Sequence, residues 1–299
     1  MVELPPVGTR VSLRYRLPAG SERPLNDVVG HLVEVVPTIR VRTKSAELVD
    51  VSPGDVVAVR VLTDAPVRNS QIRNLEHAAA LAWPGLEQRW LDGWLLRFSG
   101  GPSHRANSAV PLEVHANLTA VPAIVAWYRE RHATPWLSVP DRLVRLPEAT
   151  QSSLEVLVMT RELDPDVDVV EPAVVAARPD DQWLRSYQRD IDVDVLTAVI
   201  DGEVSFANRA SAAVGRGAVT TAPDGTRWAG LAAVHVASDE RRKGHARALC
   251  ATLLAWGIAR GATRAYAQVL ADNAAALTLY QSMGFRTQHR MRYVDGRTL

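Results

Sequence analysis

The run Arg241-Arg242-Lys243-Gly244-His245-Ala246 sets three cations and a glycine between an apolar stretch, Leu231 to Val236, and a segment carrying Leu249, Leu253, Leu254 and Ile258 at helical spacing. The apolar stretch reads as a strand and Ala246 to Ile258 as an amphipathic helix. A strand-to-helix turn aims several free backbone N–H groups, and the positive end of the helix dipole, at one spot. Such a spot binds an anion, most naturally a phosphate or pyrophosphate. Gly244 would let a phosphate oxygen reach the main chain, and the flanking cations would add charge-assisted contacts. Taken alone, the run also fits a basic solvated turn before an ordinary helix.

A second run follows at close separation. Arg264 to Leu270 reads as another strand, and Asp272 to Phe285 holds a good N-cap at Asp272 or Asn273. Ala276, Leu277, Tyr280 and Met283 keep helical spacing, and Gly284 is placed to end the helix in a left-handed conformation. The order is therefore strand, anion loop, helix, strand, short helix, Gly-Phe, strand.

These two runs together, from about Thr226 to Val294, resemble the GNAT superfamily of N-acetyltransferases, which use acetyl-coenzyme A. Arg241 to Ala246 matches the family's R/Q-x-x-G-x-G/A loop, and Asp272 to Phe285 is similar to its D-N-x-x-A-x-x-L-Y-x-x-x-G-F helix. The resemblance implies that Val234 and Val236 bond the pantetheine arm through their main chain, with His235 between them in the same cofactor-lining segment. It implies that Arg241, Arg242, Lys243, Gly244, His245 and Ala246 hold the pyrophosphate, that Asn273 touches the cofactor near its arm, and that Tyr280 stands beside the sulfur as general acid. Ser238 and Arg242 depart from the pattern, lying where many relatives have proline and glycine. The implied reaction is attack of an amine on the thioester of acetyl-CoA, with no metal. A phenol of pKa about 10 keeps its proton at neutral pH and can share it with a leaving thiol of about 8.5.

The general base is open. Gly230, Leu231 and Ala232, where several family members place one, cannot titrate. His235 should face away from Val234 and Val236, because side chains alternate along a strand. Glu203 is a fallback, and a base from the preceding region, or none, are the other readings. Cys250 reads as a small core residue.

The elements that must position this site occupy a chain of 299 residues with 47% hydrophobic content, room for two or three domains. The single cysteine excludes a disulfide framework and Cys-rich zinc sites. No signal-like start and no apolar run of membrane-spanning length is present, so the expectation is a cytoplasmic protein without a membrane partner. A net charge of +1 argues against wrapping a polyanion.

Residues 1–63 hold five short β-rich stretches between tight turns and resemble an SH3-like barrel, serving either interdomain packing or ligand binding. Nucleic acid is kept only as an alternative ligand of that barrel. Residues 64–73 read as a linker. Residues 74–163, in the order helix, strand, strand, helix, strand, strand, resemble a degenerate GNAT lobe with no anion loop, and residues 164–299 a catalytic GNAT lobe entered by a strand at Val167 to Val170. The fold class expected is α+β or α/β, a tandem GNAT arrangement similar to bacterial proteins described as histone-acetyltransferase-like. Within the first lobe, His104, Arg105 and Asn107 either shape a substrate pocket or satisfy a hairpin loop. The function implied is transfer of an acetyl group from acetyl-CoA to a primary amine, a protein lysine or a small molecule. The alternative is an acetyl-CoA-binding sensor or recruitment module. Oligomeric state is not legible.

Overall fold

The computed structural model describes residues 4–18, 20–21, 24–62, 67–164, 173–210 and 212–299. Contacts divide the chain into two compact units, Met1–Pro66 and Val67–Leu299. In the first unit, β1 (Arg10–Arg16), β2 (Leu25–Glu34), β3 (Ile39–Thr43), β4 (Leu48–Val51) and β5 (Val56–Val61) form one sheet in the order β4-β3-β2-β1-β5. Alternation along these strands sends Val11, Leu13, Val28, Leu32, Ile39 and Val41 into a common core.

The second unit begins with α1 (Asn69–Ala82) and carries eleven strands in a single sheet. In chain order these are β6 (Glu87–Leu91), β7 (Trp94–Phe98), β8 (Ser108–Pro111), then α2 (Val121–Arg129), β9 (Trp136–Pro140), β10 (Leu154–Glu162) and β11 (Val174–Ala176). There follow α3 (Asp181–Tyr187), α4 (Val193–Thr197), β12 (Gly202–Arg209), β13 (Ala213–Thr221), β14 (Arg227–Val236), α5 (His245–Ile258), β15 (Arg264–Leu270), α6 (Ala274–Ser282) and β16 (Arg286–Asp295). The strand order is β11-β12-β13-β14-β15-β10-β16-β9-β8-β7-β6.

A seam at residues 163 and 164 is not what this order shows. β10 precedes that point in the chain, yet it lies between β15 and β16 and pairs antiparallel with both. β16 in turn pairs with β9. Each half thus lends a strand to the other, and every backbone edge at the junction is covered by a neighbour. Val167 to Val170, expected as an entry strand, lie outside the described residues.

The helix expected to open the first lobe covers the second half's strands instead. Leu75, Ala78 and Ala79 of α1 pack with Val156, Val158, Trp228, Tyr266, Met291 and Tyr293. The Thr220 hydroxyl donates to the Ala78 carbonyl at 2.8 Å. On the opposite face α5 and α6 cover Val219, Ala229, Leu231, Ala265, Ala267 and Val269. Alternation sorts the two faces cleanly: Trp228 and Tyr266 go to α1, Ala229 and Ala267 to α5. Glycines let α5 lie close, since a Cβ on Gly217 would meet Leu253 at 3.0 Å and one on Gly257 would meet Ala229 at 2.7 Å.

The expected helix over Leu118 to Arg131 is shorter and begins with a turn of 3₁₀ helix at Leu118–Ala120. Pro122 suits the first turn of α2, where its missing N–H costs nothing. Residues 193–200 likewise form helix only to Thr197, because Ala198 is extended and gives its carbonyl to Arg216. Among the described residues no helix is long and apolar enough to cross a membrane.

Candidate functional site

β14 carries the site, and a bulge shapes it. Its register with β13 runs Arg216↔Ala232 and then Val214↔His235, so Ala233 and Val234 stand opposite Gly215 alone. Ala233 takes a φ of +52°, a left-handed conformation costly for a residue with a Cβ. A bulge bends its strand. The parallel pairing of β14 with β15 accordingly ends at Leu231↔Ala267, and the two strands diverge beyond it. Along this diverging edge the main chain of Ala232 to Val236 has no neighbour strand on the β15 side.

The sequence-expected residues line this edge in order. Val234 and Val236 pack toward α5. His235 faces the other way, and burial, then Arg241 and Arg189, hold its imidazole below the ordinary histidine range. A neutral side chain on that face leaves only its main chain to the edge.

Beyond β14 the chain passes through a short 3₁₀ turn, Ser238–Glu240, to Arg241 and α5. Gly244 is the N-cap residue of α5, with φ +85° and no side chain capping the helix. The first-turn amides therefore keep their donors, as an anion site requires. A Cβ on Gly244 would meet nothing within 4 Å, so the glycine is there for conformation and for open approach. Arg242 has φ +64°, which is why glycine suits that position in relatives of this pattern. Glu240 gathers two of the loop's side chains: its carboxylate accepts from Lys243 Nζ at 3.1 Å and lies 3.0 Å from His245 Nε2. Those pairings hold Glu240 below the usual carboxylate range, with Lys243 the larger cause.

Across the gap, Asn273 caps α6, its side-chain oxygen accepting from the Ala276 N–H at 3.1 Å. Asn273 is exposed, so its side-chain NH₂ remains at the surface of the cleft. Gly284 ends the helix with φ +82°. Tyr280 is 5% exposed and its ring meets Phe285 edge-on at 5.3 Å. Its hydroxyl is bonded to the thiol of Cys250 on α5. Burial, then Cys250, pushes the Tyr280 phenol well above its ordinary value, and burial pushes the Cys250 thiol up to about 12. At neutral pH both keep their protons, which makes Tyr280 a donor to sulfur and Cys250 no nucleophile.

Glu203 is not at the site. It is exposed near the start of β12 and takes Arg260 Nε at 2.7 Å, at the end of α5 remote from Gly244. His104 is also accounted for, its ring tilted against Trp136 with centroids 4.8 Å apart and edge-on to Tyr293. Asn107 serves its own loop, accepting from the Ser99 N–H and donating to the carbonyls of Gly100 and Ser103. Arg105 does reach the site, as described next.

On the α1 face, at the apex of the divergence, lies a cavity of about 10 Å³. It is lined by Ala79, Ala82, Trp83 and Arg105 from the first half, and by Arg216, Gly230, Leu231, Ala232, Tyr266 and Gln268 from the second. A Cβ on Gly230 would stand 2.4 Å from the Tyr266 hydroxyl, so the glycine makes room for that phenol, which burial pushes up to about 12. Arg216 is fully buried, donates to the carbonyls of Leu196, Ala82 and Ala198, and lies 4.3 Å over the Trp83 ring. Burial, helped by the like charge of Arg105, draws it down to about 9.

Sequence reasoning missed Glu76 and His289. Their side chains are almost wholly buried, with Glu76 Oε1 3.0 Å from His289 Nε2, and Gln268 Nε2 3.5 Å from the same carboxylate. Glu76 sits at a helical-core position of α1, and no local motif marks it. Its partner lies 213 residues away, brought there only by the position of β16 beside β10. Among the described residues no cluster of three or more His, Cys, Asp or Glu could hold a metal.

Residues 69–294 match the family described as "Probable histone acetyltransferase Rv0428c C-terminal", and residues 5–60 the "Rv0428c N-terminal Sm-like domain". The small barrel is thus Sm-like rather than SH3-like. Five short strands between tight turns are common to both, and no residue motif distinguished them. A Mycobacterium tuberculosis protein named probable histone acetyltransferase Rv0428c is 50% identical over 303 residues, spanning 100% of this chain and 98% of its own. A GCN5-related N-acetyltransferase from Kribbella flavida superposes with a TM-score of 0.53 at 14% identity, covering 77% of this chain and 96% of that one, which speaks for the fold. A putative GNAT-family acetyltransferase from Novosphingobium aromaticivorans superposes at 0.49 with 19% identity, covering 73% and 95%.

Proposed function

This chain belongs to the Rv0428c family of probable histone acetyltransferases and is an acetyltransferase, and we propose that its site is the cleft where β14 leaves β15. The bulge at Ala233 carries the reading, because it frees a strand edge beside an uncapped, cation-flanked helix start. The residues present fit acetyl-CoA: the loop from Arg241 to Ala246 would hold its pyrophosphate, the edge from Val234 to Val236 its amide-bearing arm, and Asn273 would meet the arm from across the cleft. Acetyl-CoA supplies a thioester, whose carbonyl carbon bonds to the acceptor nitrogen as the C–S bond breaks.

Tyr280 then donates a hydrogen bond to the departing sulfur. Its phenol is pushed so far above a thiol that it stabilises the thiolate without giving up its proton for long. At rest the Tyr280 hydroxyl donates to Cys250 Sγ, so it must turn from that sulfur to the departing one. The proton released by an ammonium acceptor leaves to solvent. The acceptor is a primary amine, on a protein lysine as the relative's name suggests or on a small molecule. A lone, buried thiol is consistent with a reducing, cytoplasmic setting.

Thiol release from acetyl-CoA over a panel of amines, with affinity followed by calorimetric titration, tests this. Tyr280→Phe should lower turnover about 100-fold and change acetyl-CoA affinity less than about threefold. Equal turnover in the variant would remove Tyr280 from the chemistry. Tight binding with no thiol release by the native chain on any amine would make it a binding module.

A further inference from the structure

Building on the acetyl-transfer reading, we propose that the acceptor is a small amine that also bears a carboxylate, and that Arg105 in the apex cavity binds that carboxylate.

The cavity opens on β14 where the strands part, on the face opposite α5 and its anion loop. A thioester threaded between β14 and β15 from the α5 side would present its carbonyl there. Three features set what can meet it. First, the ionisable lining groups are Arg105, Arg216 and Tyr266, with no Asp or Glu among the lining residues. Second, Arg216 is anchored through Nε and Nη2 to three backbone carbonyls, which fixes its charge beside the cavity. Third, two donors against the cavity have no acceptor: Arg105 Nε is buried and unpartnered, and so is Trp83 Nε1, on a residue 4% exposed.

A buried donor left unmatched calls for an acceptor. Arg105 stays tethered, its guanidinium 5.4 Å from the Trp83 centroid, with an edge still to be satisfied. The nearby buried carboxylate, Glu76, is engaged by His289 at 3.0 Å.

An ammonium entering this space alone meets positive charge in a low dielectric and is repelled. A carboxylate is attracted, and one of its oxygens can accept a charge-assisted hydrogen bond from Arg105 Nε–H. With Arg105 paired to the carboxylate, the Arg216 charge still lining the cavity disfavours a second cation and so favours the neutral, nucleophilic amine. This also explains why Gly230, Leu231 and Ala232 can be non-titrating at the positions where a base was sought. A lysine side chain within a protein brings charge of the wrong sign and no carboxylate. At about 10 Å³ the cavity holds a single oxygen, so one carboxylate oxygen enters it and the remainder of the acceptor lies in the cleft where β14 leaves β15.

The test uses the full chain and matched pairs: glycine with glycinamide, β-alanine with β-alaninamide, and a lysine-containing peptide, with rates expressed per neutral amine. The acid of a pair should exceed its amide at least tenfold in kcat/KM, and Arg105→Gln should bring the ratio to near one while Arg105→Lys keeps part of it. Amides or the lysine peptide matching the acids in the native chain, or an undiminished ratio in Arg105→Gln, would overturn the proposal. Calorimetric titration with N-acetylglycine and N-acetylglycinamide separates the two readings. Carboxylate-selective binding that Arg105→Gln abolishes supports the pocket even where no amine is turned over. Equal binding of acid and amide counts against it whatever the turnover.

Discussion

The second unit contains the same small construction twice, and only one copy leaves its helix start open. In the second half, parallel strands β14 and β15 flank α5, and α6 follows β15. In the first half, parallel strands β8 and β9 flank α2, through Ser108↔Trp136 and Ala109↔Leu137. The helix starts differ most. Gly244 leaves the amides of α5 uncapped, whereas α2 is entered through the 3₁₀ turn Leu118–Ala120, where Asn117 turns its side-chain oxygen onto the Thr119 N–H at 2.8 Å, and Pro122 removes a donor altogether. The Trp94 indole N–H closes over the Asn117 carbonyl at 3.0 Å. After β9 no helix intervenes before β10, so the first half has no counterpart of α6 and none of Tyr280. What remains of that half is put to other use: α1, Trp83 and Arg105 complete the cavity of its neighbour. On the proposed reading, an acyl-CoA site in this fold rests on donors left unspent, and capping them would convert a binding loop into a structural one.

The sharpest way to break the comparison is to exchange the two behaviours. Gly244→Val forces a branched residue into φ +85° at the helix start and sets a side chain over the open amides. Acetyl-CoA affinity should fall about 10- to 100-fold by calorimetric titration. Asn117→Ala removes a cap and should cost about 1 kcal/mol of unfolding free energy, with acetyl-CoA affinity moved less than twofold. If Gly244→Val bound acetyl-CoA like the native chain, the anion-loop assignment would be lost.

The same contrast shows what could be read from the chain itself. The strand, loop and helix from Leu231 to Ile258, and the cap and stop of α6 at Asn273 and Gly284, are local features, set by residues within a few positions of one another. Both were legible, as was the want of an anion loop after Val114. The exchange of β10 and β16 was not, because strands of similar apolar pattern do not state their partners; only packing of Val156, Val158, Met291 and Tyr293 beneath α1 decides it. The cavity was hidden for the same reason, its lining drawn from residues 79 to 268. Ala233 gave no signal either, since a bulge at a non-glycine residue follows from the register of β13 against β14.

A smaller effect separates the halves in alkali. Burial raises the phenols of Tyr266 and Tyr280 and the Cys250 thiol in the second half, and that of Tyr128 in the first. A group whose folded pKa lies above its unfolded one lends stability that is complete below the unfolded value and lost as pH climbs through the folded one. For Tyr266 that window runs from about 10 to about 12. Each such group contributes a slope of up to about 1.4 kcal/mol per pH unit, while Arg216, drawn down to about 9, subtracts one slope of opposite sign. Denaturation midpoints should therefore fall between pH 10 and 11, and Tyr266→Phe should flatten the fall by about one group's share. A midpoint unchanged across that interval would contradict the burial of these phenols.

The least effect is expected at Arg242, where the loop of the second half carries a cost that the first half avoids. With φ +64° the residue sits in the left-handed region, and relief by Arg242→Gly should raise unfolding free energy by about 0.5–1 kcal/mol, partly offset by the greater freedom of glycine in the unfolded chain. The guanidinium is exposed, so its charge acts on a bound pyrophosphate through solvent and is screened at ordinary ionic strength. Acetyl-CoA affinity should then drop about two- to threefold at low salt and be nearly unchanged at 0.5 M salt. A loss of affinity that salt does not diminish would mean that Arg242 grips the anion directly, and that the left-handed residue is retained for contact rather than for field.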